Sequence, residues 1–227
     1  MKARVVMKKV ALVTGSNRGI GLELCRQLQR DYQVLACCRN ASEDLKTLDV
    51  KIVEGIEVVD SSSVEKIQQR LGENKIDLMI HNAGIFRKDE MGPSFEKGIR
   101  EQFEVNTLAP LRLSLGLVDQ MKPESKLVMI TSRMGSIADN QSGGYYGYRI
   151  SKAGLNMAAK SLALDWKSRK IHVALIHPGY VRTEMTGNQG DLDPKEAAEG
   201  ILGVITTQLT PETSGSFWHS NGERLPW

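Results

Sequence analysis

The chain has 227 residues, 41% of them hydrophobic and 25% charged, the balance of an ordinary globular protein and a length suited to one domain over 1–227. Its net charge of +3 is small and its acidic and basic residues are interleaved, so no basic stripe forms that would suit a nucleic-acid backbone. The basic start, Met1 to Lys9, leads into an apolar run too short for a signal-peptide core, and no later segment approaches the ~20 apolar residues that span a bilayer. A soluble cytoplasmic protein without membrane attachment is the expectation.

Val10 to Val13 reads as a buried strand that runs into Thr14-Gly-Ser-Asn-Arg-Gly-Ile-Gly21 and then a helix, Ile20 to Arg30. A glycine-rich turn between a first strand and a first helix can hold a pyrophosphate at the helix N-terminus, which makes Gly15, Ser16, Asn17, Arg18, Gly19, Ile20 and Gly21 candidate cofactor contacts. After the second strand, Val34 to Cys37, an NAD site would place a carboxylate about 20 positions beyond the glycines. This chain reads Ala36-Cys-Cys-Arg-Asn40 there, so Arg39, helped by Arg18, should favour the extra phosphate of NADP(H). The cysteines Cys25, Cys37 and Cys38 lack the paired spacing of a metal site and read as core residues, with Cys37 and Cys38 on opposite sheet faces. No metal is expected.

A third strand is expected at Ile56 to Val59, ending at Asp60, followed by a helix from Ser63 to Leu71 and a strand from Ile76 to Ile80. Asn82-Ala83-Gly84 comes next, then a loop from Phe86 to Ser94 and a long helix from Phe95 to Met121. The fifth strand, Leu127 to Ile130, is followed by Ser132, a helix from Tyr148 to Ser168, and a sixth strand from Val173 to Ile176. Pro178-Gly-Tyr-Val-Arg-Thr183 leads to a short substrate loop, Thr183 to Pro194, and a helix from Pro194 to Ile205. The tail, Ser214 to Trp227, should add a last strand. Strands alternating with helices predict an α/β fold: a doubly wound parallel sheet of about seven strands with helices on both faces.

Tyr148 and Lys152 stand four apart in a helical segment, on one face. A phenol titrates near ~10, so a nearby ammonium is what would make it a usable acid or base near neutrality. The glycine turn, Asn82-Ala-Gly84, Ser132, the Tyr148/Lys152 pair and Pro178 to Thr183, in that order over nearly the whole chain, resemble the short-chain dehydrogenase/reductase family. Gly215-Ser-Phe-Trp-His219, Gly222-Glu223 and Pro226-Trp227 look most like its sniffer and C-factor carbonyl reductases.

The resemblance implies a Rossmann fold and NADPH-dependent transfer of hydride between nicotinamide and a carbonyl or alcohol substrate, most simply aldehyde or ketone reduction. It assigns proton donation to Tyr148. It gives Lys152 the lowering of the Tyr148 pKa and a hold on the nicotinamide ribose, and Ser132 the substrate carbonyl. Asn106 matches the fourth catalytic residue; Pro110, four residues on, has no N–H to occupy its carbonyl, which leaves it free for a water linking Lys152 to solvent. Asp60 matches an adenine contact, Asn82, Ala83 and Gly84 border the adenosine ribose, and Pro178, Gly179, Val181 and Thr183 serve the carboxamide. His81 reads as structural, and Arg133 as meeting either a polar substrate or a partner subunit. A homodimer or homotetramer is implied. The alternatives are an NADPH-sensing regulatory protein, which loss of Tyr148 or Lys152 would have favoured, and a nucleotide-sugar epimerase, for which too little chain follows Thr183.

Overall fold

Strands β1 (Lys9–Thr14), β2 (Tyr32–Cys37), β3 (Lys51–Val53), β4 (Ile76–His81), β5 (Met121–Ile130), β6 (His172–His177) and β7 (Ser216–His219) form one parallel sheet, in the order β3-β2-β1-β4-β5-β6-β7. They are set out in a computed structural model that describes residues 8–89 and 91–227. The start of the basic stretch, through residue 7, and Glu90 of the Phe86–Ser94 loop lie outside the described residues. The connecting helices are α1 (Gly19–Leu28), α2 (Glu43–Lys46), α3 (Ser62–Leu71), α4 (Phe95–Phe103), α5 (Ala109–Leu117), α6 (Tyr146–Asp165) and α7 (Pro194–Thr207). None among the described residues is long and apolar enough to cross a membrane.

Both faces of the sheet are covered, which is why its strands read as continuous apolar runs instead of alternating ones. Leu12, Leu35, Met79, Leu127 and Leu175 pack with Ile67 of α3, Leu113 of α5 and Leu155 of α6 on one side. Val13, Ala36, Ile80, Val128 and Ile176 pack with Leu24 of α1 and Ile201 of α7 on the other. Each Leu, Ile, Val or Met among them contributes about 1.5–3 kcal/mol by leaving water. Cys37 joins the first cluster, Cys25 and Cys38 the second, and all three are buried free thiols, as the strand alternation predicts.

The structure corrects three of the expected elements and adds one. The third strand is Lys51–Val53, whose β-branched Ile52 and Val53 follow Lys51 and which is ended by Gly55 at φ 69°. The expected strand at Ile56–Val59 is instead a turn whose first amide, Ile56 N–H, donates to the Cys38 carbonyl (3.0 Å). The long helix expected from Phe95 breaks into α4, a π turn over Glu104–Leu108 and α5; its last residues belong to a 3-10 turn and β5. Helix α6 stops at Asp165, with 167–169 forming a 3-10 turn. The short α2, capped by the Ser42 side chain on Leu45 N–H, was not foreseen.

Strand β1 pairs with β2 on one side and β4 on the other, so the strand order reverses between β1 and β4. In open α/β sheets, ligands bind outside the carboxyl ends of the strands at such a reversal.

Candidate active site

A cleft of about 480 Å³ opens at that reversal. Gly15, Asn17, Arg18, Gly19 and Ile20 line one side, with Asn82, Ala83 and Gly84 opposite. Gly15 has φ 68°, and a Cβ there would stand 2.9 Å from Ala83 Cα, so backbone conformation and space both demand glycine. At Gly21 a Cβ would fall 2.1 Å from the Gly15 carbonyl oxygen. Gly21 therefore lets α1 press against the turn instead of facing the cleft. Ser16 also turns inward, donating its hydroxyl to the Val13 carbonyl (2.7 Å). Asn82 braces the turn from β4, its Nδ2 donating to the Thr14 and Gly15 carbonyls at 3.1 Å each. The result is a rigid cradle without side-chain filling at the N-terminus of α1, a fit for a pyrophosphate.

Arg39 reaches the cleft rim 70% exposed, its guanidinium 3.8 Å from Glu57. Arg18 pairs across the mouth with Glu184, on the segment after β6. Asp60 does not reach the cleft. The chain turns after Gly55 so that Ile56, Glu57 and Val58 line it, while the Asp60 carboxylate accepts the Ser62 amide (2.9 Å) at the start of α3, which holds its carboxyl below the usual range.

Tyr148 and Lys152, on one face of α6, line the same cleft. The Lys152 ammonium lies 5.8 Å from the Tyr148 ring centroid and donates to the Ile130 carbonyl (2.9 Å) at the end of β5. Burial pulls its pKa down to about 8. Burial pushes the Tyr148 phenol up to about 12, opposed by a hydrogen bond with the Ser132 hydroxyl. Desolvation is the larger of the two influences, and the phenol keeps its proton at neutral pH. Ser132, 7% exposed, follows β5; its Oγ also accepts Met134 N–H (3.2 Å), which anchors the short turn after it.

Asn106 sits buried in the π turn, where Ala109 N–H donates to the Glu104 carbonyl five residues back. Its Oδ1 accepts Ile85 N–H (2.8 Å), and its Nδ2 donates to the Ile85 carbonyl (2.9 Å) and Ser151 Oγ (3.0 Å). It thus clamps the segment after β4 to α6 and does not itself line the cleft. After β6, Pro178 and Thr183 line the cleft, whereas Gly179 (φ 92°) and the buried Val181, which bridges to Leu192, shape the turn behind it.

His81 is buried with Nε2 2.9 Å from Ser114 Oγ, and that hydroxyl donates onward to the Pro110 carbonyl (2.7 Å). The serine's proton is thereby committed, so Nε2 carries the imidazole proton. Burial lowers the His81 pKa to about 3 and keeps it neutral, in line with a structural role. Arg133 finds an intrachain partner in Asp139 (2.7 Å).

Sequence reasoning missed Glu57 and Val58 at one end of the cleft and Ile130 and Thr131 at the other. It also missed Phe86 and Asp89, both on the loop after β4. Phe86 stands edge-on to the Tyr148 ring with centroids 5.0 Å apart. Asp89 accepts the amides of Tyr146 (2.6 Å) and Gly147 (3.2 Å) at the start of α6. One signal was available: Gly143-Gly-Tyr145 ahead of α6 contains no Ser, Thr, Asp or Asn to cap it.

The sequence model of the short chain dehydrogenase family matches residues 9–193. A 1-hydroxy-2-glutathionyl-2-methyl-3-butene dehydrogenase of Rhodococcus sp. (strain AD45) is 40% identical over 223 residues, covering 95% of this chain and 98% of that one. Among solved structures, the NADPH-bound carbonyl reductase from chicken fatty liver superposes with a TM-score of 0.87 at 30% identity, covering 98% of this chain and all of that one (100%). The carbonyl reductase Sniffer of D. melanogaster superposes with a TM-score of 0.85 at 26% identity, covering 97% and 100%. The likeness to sniffer-type reductases read from the C-terminal sequence is found in the fold as well.

Proposed function

The chain belongs to the short-chain dehydrogenase family, and we propose that it is an NADPH-dependent reductase of aldehydes or ketones acting as a single domain. The observation that carries this reading is the placement of Tyr148 and Lys152 in the same cleft as the glycine turn. Bound there, reduced nicotinamide supplies hydride to the carbonyl carbon. Negative charge then grows on the substrate oxygen, where the hydroxyls of Tyr148 and Ser132 stabilise the transition state more than the ground state. Tyr148 gives up its proton to that oxygen. The phenol is protonated at working pH, as proton donation to a reduced carbonyl oxygen requires.

Lys152 holds the nicotinamide ribose in this reading, and the Asn106 carbonyl carries a water that resupplies the proton through Lys152. Asn82, Ala83 and Gly84 border the adenosine ribose, Glu57 and Val58 take over the adenine contact expected of Asp60, and Thr183 with the Val181 backbone orients the carboxamide. Arg39 and Arg18 grip the 2′-phosphate on exchanging Glu57 and Glu184 for it; two guanidiniums with no carboxylate at the end of β2 favour NADPH over NADH. Exposed Ile150, Met157 and Leu164 recur every seven residues along α6, beside exposed Leu115 on α5. Such an apolar stripe suits burial against a second copy in a cytoplasmic homodimer or homotetramer. The intact Tyr148/Lys152 pair weighs against a cofactor-sensing protein without chemistry.

The test follows oxidation of NADPH and NADH against a panel of aldehydes, ketones and quinones, together with a glutathione-bearing alcohol in the reverse direction, since that is the kind of compound named for the Rhodococcus relative. Turnover with NADPH preferred, falling about a hundred- to ten-thousand-fold in Tyr148→Phe, is expected. Failure of every substrate, or full activity in Tyr148→Phe, contradicts the reading.

A further inference from the structure

Helix α6 begins without a side-chain cap of its own: the residue before it, Tyr145, has φ 53° and ψ 41°, left-handed backbone that a non-glycine residue seldom adopts. The loop after β4 supplies what is missing. The Asp89 carboxylate accepts the Tyr146 and Gly147 amides with one oxygen each (2.6 and 3.2 Å). Three residues earlier, Phe86 packs on the rings of both Tyr145 (5.6 Å) and Tyr148 (5.0 Å). Residues 145–148 are therefore held from the side by one loop, through two hydrogen bonds and two ring contacts.

Satisfying those amides is half of the effect. The start of a helix carries a partial positive charge, felt within the first turn, and Tyr148 is the third residue of α6. Left alone, that charge would make the phenol easier to ionise. A carboxylate on the first-turn amides offsets it. Other groups facing the phenol are the Lys152 ammonium from α6 and the Ser132 hydroxyl after β5. His177 at the end of β6 lies in the field of both Lys152 and Arg133. The Tyr145 phenol lies across Phe86, and Arg149 turns away to the carbonyls of Gly144 and Met134 and the Ser142 hydroxyl. None of these is a carboxylate.

We infer that Asp89 is a positioning residue for the proton donor, fixing the first turn of α6 and offsetting the positive end of the helix beside Tyr148. This rests on the reading of Tyr148 as the donor. Asp89→Asn keeps an acceptor oxygen and removes the charge, Asp89→Ala removes both, and Asp89→Glu retains both. The alkaline limb of kcat/KM for carbonyl reduction, where the donor loses its proton, should move down by about half a pH unit in Asp89→Asn. The same variant should lose kcat several-fold with KM for NADPH unchanged, and Asp89→Glu should return the limb toward its original place. An unmoved limb in Asp89→Asn, with at most a lower melting temperature in it and in Asp89→Ala, overturns the inference and leaves Asp89 a simple cap. If the unmutated protein reduces nothing on the panel, the functional reading fails separately. The charge effect is then read by NMR of isotope-labelled tyrosine, with Tyr148→Phe assigning the signal. A Tyr148 titration displaced to lower pH in Asp89→Asn supports the inference, and one left in place overturns it.

Discussion

The two ends of the cleft are built on opposite physical principles. At the glycine-turn end the groups on offer are backbone amides around glycines and two exposed guanidiniums, Arg18 and Arg39, each resting on a carboxylate. At the catalytic end the working groups are a buried ammonium and a packed phenol, both displaced from their ordinary pKa by desolvation. One end therefore suits an anion met in solvent, where charges are screened and exchangeable. The other holds a proton in a low-dielectric setting, where charge is expensive and burial sets the titration.

The sharpest way to break this contrast is at Gly21. An added Cβ would fall 2.1 Å from the Gly15 carbonyl and 2.5 Å from Asn82 Nδ2, atoms that hold the turn in place. Gly21→Ala is expected to weaken NADPH binding about a hundredfold, since overpacking of this kind costs about 1–3 kcal/mol and distorts the amides as well. Isothermal titration of the variant checks this, and unchanged affinity would mean that the turn is not the cradle. Arg39→Ala should act more mildly, costing NADPH about tenfold in affinity and NADH nothing, with the difference shrinking as salt is raised. Equal losses for both cofactors would remove Arg39 from phosphate recognition.

The smallest effect is on stability and tests the buried half. His81 and His177 are held neutral by burial, each with its pKa lowered from 6.5 to about 3. Between those values the unfolded chain binds more protons than the folded one, so stability is complete above about pH 6.5 and falls as pH drops toward 3. The loss should be on the order of 1 kcal/mol per pH unit for each histidine. Replacing the titrating ring in His81→Asn should flatten the fall of melting temperature between those pH values; an identical slope would show that His81 does not carry it. Lys152 runs the same way at higher pH: with its pKa lowered from 10.5 to about 8, its burial costs less as pH rises through that window.

Much of the fold was legible because parallel strands covered on both faces leave continuous apolar runs; five of the seven observed strands could be placed from them, and the last was expected in the tail. The third failed because Lys51–Val53 is a three-residue edge strand, while the more apolar Ile56–Val59 that follows Gly55 is a turn. That one displacement also put Asp60 at the cleft in place of Glu57. The break in the helix after Phe95 was foreshadowed by Pro110, but its form as a π turn depends on the Asn106 clamp to Ile85 and Ser151, which are remote in sequence. Tyr148 and Lys152 were legible because helical spacing is local. Asp89 was not, because it caps a helix that begins 57 residues later, a distance that only the sheet's topology closes.

The most direct measurement of the central claim is deuterium transfer from NADPH labelled at the reactive carbon of its nicotinamide, using whichever carbonyl compound the panel shows to be reduced. The account predicts an alcohol carrying deuterium on the former carbonyl carbon, formed by the unmutated protein and all but abolished in Tyr148→Phe. An unlabelled carbon in the product, or equal yields from the two proteins, would contradict it.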